Sequence, residues 1–259
     1  MLNFRNTLIT GSVALAALVI TDIFITVDLW FYLGIVLALI VLLIWGSIRI
    51  QAGFYLPSLC SGKRNNKAVS LTFDDGPDGL ITPMILDILR EKKVKATFFI
   101  VGSKAEKHPE ILQRIDREGH IIGGHSLSHH FFFDLFSGKH MKSELMQTAD
   151  IVFKATGKKI VLFRPPYGVT NPTLGKVLKT LNYRSIGWSL KSKDTVLKDN
   201  ELLLKRLKSK LQAGDIILFH DNKPWIVNLL KAFITYLDEE NYSIERIDDL
   251  LNIKVYDAQ

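Results

Sequence analysis

Two adjacent carboxylates and a pair of histidines carry the chemical potential of this chain. Asp74 and Asp75 stand in Thr72-Phe73-Asp74-Asp75-Gly76-Pro77, and His125 and His129 in His125-Ser126-Leu127-Ser128-His129, each set just past a run of β-forming residues. One carboxylate and two imidazoles suit Zn²⁺ and leave coordination positions open for water and substrate, while the second carboxylate is free to act as base. The spacing of four between the histidines predicts one turn of helix with both rings on one side. Taken singly, Asp75-Gly76-Pro77 makes an ordinary turn, and two histidines beside Phe131-Phe132-Phe133 make an ordinary surface. The combination points to a divalent metal and to hydrolysis.

His220 ends the apolar run Ile216-Ile217-Leu218-Phe219, and a strand end opening on a pocket is where an acid or base is useful. His108, His120, His130 and His140 have no matching placement and read as surface residues. Cys60 is the single cysteine, so no intrachain disulfide can form. The residues before it, Pro57-Ser58-Leu59, do not fit a lipidation site, and it reads as an inert linker thiol.

Strand and helix signals alternate through the second part of the chain. Strands are expected at 68–73, 96–101, 120–123, 160–163, 185–188, 216–219 and 243–247. Helices are expected at 82–92, 109–118, 139–156, 172–181, 200–211 and 224–239. Such alternation means parallel pairing with right-handed crossovers, in a barrel or an open sheet. Asp74 and Asp75, then His125 and His129, then Arg164, Asp194 and His220 all fall at or after strand carboxyl ends, where a barrel gathers its chemistry. Their convergence favours the barrel.

Residues 1–50 differ in kind. Thr7–Val27 and Leu29–Ile50 are almost wholly apolar, and each is long enough to cross a hydrocarbon core as a helix. A signal peptide would have a shorter apolar core, so a hairpin of two transmembrane helices is expected, with Asp22 and Asp28 near its turn. The flanking Arg5, Arg49, Lys63, Arg64 and Lys67 place both ends in the cytoplasm if charge alone decides. Residues 51–67 read as a linker and residues 68–259 as the catalytic domain. Arg5 and Arg49 balance Asp22 and Asp28, so the whole formal charge of +7 belongs to the remainder. Anionic headgroups, phosphorylated lipid carriers or acidic glycans suit that surface, whereas no motif supports nucleic acid.

Five motifs in order, TFDDGP at 72–77, HSxxH at 125–129, RPPYG at 164–168, an aspartate at 194 and LxH at 218–220, make the chain similar to the polysaccharide deacetylases of the NodB homology type. The resemblance covers about Val69 to Ile247. It implies a distorted (β/α) barrel of about seven parallel strands and a divalent metal, usually zinc, on residues matching Asp75, His125 and His129. It also implies Asp74 as general base, Arg164 orienting it, the backbone near Tyr167 at the oxyanion, His220 as general acid and Asp194 supporting His220. Two departures stand out: His130 where the family often has proline, and Thr195 where it often has tryptophan, which would reshape the sugar-binding wall.

The expected function is hydrolytic removal of the N-acetyl group from an amino sugar in a polysaccharide or cell-wall glycan. The alternative keeps the chemistry and takes a lipid-linked amino sugar, carrying acetyl or formyl, at the membrane. A membrane-anchored glycan-binding protein without catalysis is the reading of another class, and a phosphoesterase with Asp74 as nucleophile leaves the histidines without work. The location expected is the cell membrane with two spans. Flanking charge favours a cytoplasmic domain, and the family resemblance an extracytoplasmic one.

Overall fold

The computed structural model describes residues 2–64 and 66–257. Helices α1 (Phe4–Phe24) and α2 (Leu29–Ile48) form an antiparallel hairpin, each about 30 Å long at 1.5 Å per residue. Both are long and apolar enough to cross a membrane, and few of their residues are buried. The turn between them uses its two carboxylates as caps. Asp22 accepts from the Val27 N–H at 2.6 Å, and Asp28 accepts from the Trp30 N–H at 3.0 Å.

The remaining elements, in chain order, begin with β1 (Ser58–Leu59), β2 (Ala68–Asp74), α3 (Ile81–Glu91), β3 (Thr97–Ile100), α4 (Gly102–Ala105), α5 (Pro109–Arg117) and β4 (Ile121–Gly124). They continue with α6 (Gly138–Thr156), β5 (Leu162–Phe163), α7 (Pro172–Leu181), β6 (Arg184–Ile186) and β7 (Leu190–Lys191). The chain then forms α8 (Asn200–Lys210), β8 (Ile216–His220), α9 (Ile226–Glu239), β9 (Ser243–Ile244) and α10 (Ile247–Leu251). All seven expected strands are present. Two-residue strands β1 and β7 join them, and the last expected strand is cut short because Ile247 begins α10.

Every strand pair is parallel, in the order β1-β6-β5-β4-β3-β2-β8-β7 with β9 beside β2. Among the described residues β1 and β7 do not pair, so the sheet is a half-barrel, open on one side. The central strands β2 and β8 are buried along their whole length, as parallel strands covered by helices must be. Phe73 on β2 stacks between Phe98 and Phe219 of the neighbouring strands, at 5.1 and 5.8 Å between ring centroids. These rings and the apolar faces of α3 and α9 make a core that holds the strand ends above it rigid.

Residues 51–67 were expected to be a linker from their Gly, Pro and charge content, yet the stretch from Phe54 to Gly62 is packed on the domain. Phe54 and Leu56 are buried, β1 extends the sheet at β6, and the Gly62 N–H bonds the Gly214 carbonyl at 2.8 Å. The hairpin is tied down at the same place. Ser47 Oγ donates to the Thr170 carbonyl at 2.8 Å, and Gln51 Nε2 to the Trp188 carbonyl at 3.0 Å.

Candidate active site

The register of the sheet sets the site. Asp74, last residue of β2, is the parallel partner of His220, last residue of β8, so the two side chains leave adjacent strand ends. Three strand pairs along the sheet, Gly124 of β4 is level with Phe163 of β5, which puts His125 and Arg164 side by side.

Arg164 is completely buried and fixes the first carboxylate. Its Nη1 donates to Asp74 Oδ1 at 2.7 Å and to Thr72 Oγ1 at 2.8 Å, and its Nη2 and Nε donate to the Gly187 and Ile186 carbonyls at 2.7 and 3.2 Å. All three guanidinium nitrogens therefore have acceptors, the condition for keeping such a charge inside a protein. Asp74 Oδ1 is thereby committed, and Oδ2 faces the pocket, 3.9 Å from His125 Nε2.

Asp75, His125 and His129 offer ligand atoms that all lie within 4.8 Å of one another. Asp75 Oδ1 is 3.2 Å from His129 Nε2 and 3.6 Å from His125 Nε2. Four-coordinate zinc with bonds near 2.05 Å separates its ligand atoms by about 3.4 Å, so the donor set fits such an ion. The tautomer fits as well: His125 Nδ1 is 2.7 Å from the Arg164 carbonyl and donates to it, leaving Nε2 as a lone-pair donor. The expected helical turn is absent. Residues 125–129 form a loop in which Ser126 and His129 have left-handed φ of 62° and 49°, and this geometry, not a 3.6 period, aims both rings inward.

Burial opposes ionisation of Asp75, but the electrostatic pull of His125, His220, His129 and Lys104 outweighs it and holds its pKa below the usual carboxylate value. Asn222 Nδ2 donates to Asp75 Oδ2 at 3.2 Å, and Lys104 Nζ to the Asp75 carbonyl at 2.8 Å.

On the opposite wall Asp194, fully buried, takes two hydrogen bonds from one residue: His220 Nδ1 lies 2.7 Å from Oδ1, and the His220 N–H donates to Oδ2 at 2.8 Å. Burial alone would lower the imidazole pKa. The hydrogen bond and charge of Asp194, with the charges of Asp74 and Asp75, override it and raise the pKa above its ordinary value. Tyr167 has φ of 59° inside Pro166–Gly168, a conformation costly for a residue with a Cβ. Its N–H enters none of the loop and turn hydrogen bonds among the described residues. Gly168 follows with φ of 72°, and a Cβ there would collide with Trp188.

Asp74, Asp75, His125, His129, Tyr167 and His220 line one cavity of about 190 Å³, with Trp188, Lys191 and Thr195 among its other walls. Arg164 and Asp194 stand behind it, so all eight residues singled out in the sequence come together. Thr195 does line the cavity, and the aromatic walls are Trp188 and Tyr167.

Two buried residues escaped the sequence reading, and a third was misplaced by it. Buried Glu144 on α6 accepts from the Leu127 and Ser128 N–H groups, both at 2.9 Å, and so shapes the histidine loop. Buried Asp221 accepts from Thr82 Oγ1 at 2.6 Å and crowds Gly76, where a Cβ would overlap its carboxylate. Burial pushes Asp221 up to about 7. His120 was expected at the surface; it is buried against Phe98, its Nδ1 accepts from the Ala96 N–H at 3.1 Å, and burial lowers its pKa to about 3. A polar residue on an apolar helix face, as Glu144 is, was the one signal available. His130 and His140 are exposed as expected, and burial raises the Cys60 pKa, in keeping with an inert thiol.

The polysaccharide deacetylase family model matches residues 61–186. A peptidoglycan-N-acetylglucosamine deacetylase of Bacillus cereus is 30% identical over 195 residues, covering 73% of this chain and 91% of the relative. The chain belongs to the polysaccharide deacetylase family. A second family member, the peptidoglycan-N-acetylmuramic acid deacetylase PdaA of Bacillus subtilis, is 33% identical over 202 residues, covering 76% of this chain and 74% of PdaA. The crystal structure of the Bc1960 peptidoglycan N-acetylglucosamine deacetylase superposes with a TM-score of 0.72 at 30% identity, covering 76% of this chain and 94% of that one. As a polysaccharide deacetylase this chain is a hydrolase of the amide bond that carries an N-acetyl group.

Proposed function

We propose that this chain is a membrane-anchored, metal-dependent N-deacetylase of amino sugars in cell-wall glycan. The observation that carries the reading is the placement of Asp74 and His220 on neighbouring strand ends, flanking three convergent ligand atoms. The relatives named for peptidoglycan deacetylation support the substrate class. Two apolar helices whose side chains face outward support the anchor, since the core helices of a soluble domain would be covered.

Asp75, His125 and His129 would hold the ion, and a zinc ion there supplies Lewis acidity that makes water acidic and draws charge onto the amide oxygen. The protein supplies the rest. Asp74 Oδ2 accepts the proton of the attacking water, and Arg164 on Oδ1 keeps the carboxylate oriented. The Tyr167 N–H meets the developing oxyanion. His220 gives its Nε2 proton to the leaving nitrogen as the C–N bond breaks, with Asp194 holding Nδ1. Water has then added to the acyl carbon, and acetate and a free amine leave.

The test is acetate release from N-acetylglucosamine oligomers and from peptidoglycan by the full chain in detergent. Release that needs Asp74 and His220 is the expected result, and release unchanged in both Asp74→Asn and His220→Gln would overturn the mechanism.

A second reading, a carrier-linked amino sugar as substrate, draws on the ties of Ser47 to Thr170 and of Gln51 to Trp188. They join the end of α2 and the residues after it to Thr170, two positions beyond Gly168, and to Trp188 of the cavity wall, and would hold the pocket close to a membrane surface.

A further inference from the structure

We propose that a groove at the junction of the hairpin and the domain binds one anionic phospholipid. The groove has a volume of about 740 Å³, in the range of ligand sites, and runs from Phe4 at the base of α1 past Tyr55 and Leu56 to α7 and β6. Its floor is apolar. Lys176, Lys179 and Arg184 stand exposed at its rim, and none of the three is in an ion pair among the described residues.

The occupant follows from those two halves. An apolar floor continuous with an apolar helix takes a hydrocarbon tail, and three unpaired cations take a phosphate. The proposal rests on the reading of α1 and α2 as membrane spans, which sets Phe4 at the bilayer surface within reach of lipid. It adds a consequence for the deacetylase. α7 starts at Pro172, directly after the segment tied to Ser47, so a lipid in the groove braces the element that follows the Tyr167 loop.

The experiment uses the full chain in detergent micelles, titrated with dioleoyl phosphatidylglycerol or dioleoyl phosphatidylcholine and read by native mass spectrometry. One phosphatidylglycerol should be retained with a preference of about tenfold or more. Replacing the three cations together, K176Q with K179Q and R184Q, should abolish the preference without touching the core. Gly175→Leu, which adds a side chain facing Leu56 across the groove, should expel both lipids; a Cβ at Gly175 itself meets Leu56 Cβ at a tolerable 3.5 Å. Equal retention of the two lipids by the unaltered chain, or a lipid-free dimer occupying the groove, would overturn the proposal. Carbonate extraction separates the two levels: a chain released from membranes contradicts the anchor, and a chain that stays but shows no lipid preference contradicts the groove alone.

Discussion

Asp74 and His220 are register partners at the ends of two adjacent parallel strands, although 146 positions separate them in the chain. Two ionisable side chains are thus set at neighbouring strand ends lining one cavity, the placement that the proposed proton acceptor and proton donor require. Each is completed from behind, Asp74 by Arg164 and His220 by Asp194.

Because neither residue belongs to the proposed ligand set, their loss should separate chemistry from metal binding. Asp74→Asn and His220→Gln should each lower kcat on the order of a hundredfold or more while metal content, measured by atomic emission, stays at the unaltered level. Loss of metal in either variant would place it among the ligands.

Asp194 raises the His220 pKa, so the donor stays protonated to higher pH than a free imidazole. Asp194→Asn removes that charge and lowers the pKa. The alkaline limb of the kcat/KM profile should move to lower pH, and a limb that does not move would show that His220 is not the acid.

How far these relations were legible beforehand differed by residue. The aspartate pair, the histidine pair and the strand-end His220 were visible because strand carboxyl ends collect chemistry in parallel sheets and the motifs sit just beyond apolar runs. The helical turn expected at His125 and His129 was absent because Ser126 and His129 take left-handed conformations that spacing cannot reveal. The packed segment at 51–67 was hidden for a related reason: Phe54 and Leu56 are two apolar residues among turn formers, and β1 is only two residues long. Sheet closure also lay beyond the pattern, since alternation fixes parallel pairing and not whether the last edges meet.

Glu144 turns a missed residue into a test. Its carboxylate gathers the N–H groups between the two histidines, so Glu144→Ala should weaken metal affinity about 10- to 100-fold by calorimetry, as loss of a ligand's support does. Unchanged affinity would show that the loop holds itself.

Asp221 prefers its proton in the folded state, its pKa standing at about 7 against about 4 unfolded. The unfolded chain loses that proton first as pH rises, so this group's contribution favours folding below pH ~4 and is lost progressively up to pH ~7. Asp221→Asn should flatten the dependence of Tm on pH across that window. An unaltered slope would remove Asp221 from the account.

Topology separates the substrate pools. A periplasmic or surface reporter signal fused after Gln259 fits cell-wall polymer, and a cytoplasmic signal fits the carrier-linked amino sugar and the direction of the flanking charges.

The most direct measurement is X-ray absorption at the zinc edge on the full chain loaded with one equivalent of zinc, beside the variants Asp75→Ala, His125→Ala and His129→Ala. The account predicts one ion with two imidazole nitrogens and a carboxylate oxygen at about 2.0–2.2 Å, and loss of that shell in each variant. A first shell that survives all three substitutions would contradict it.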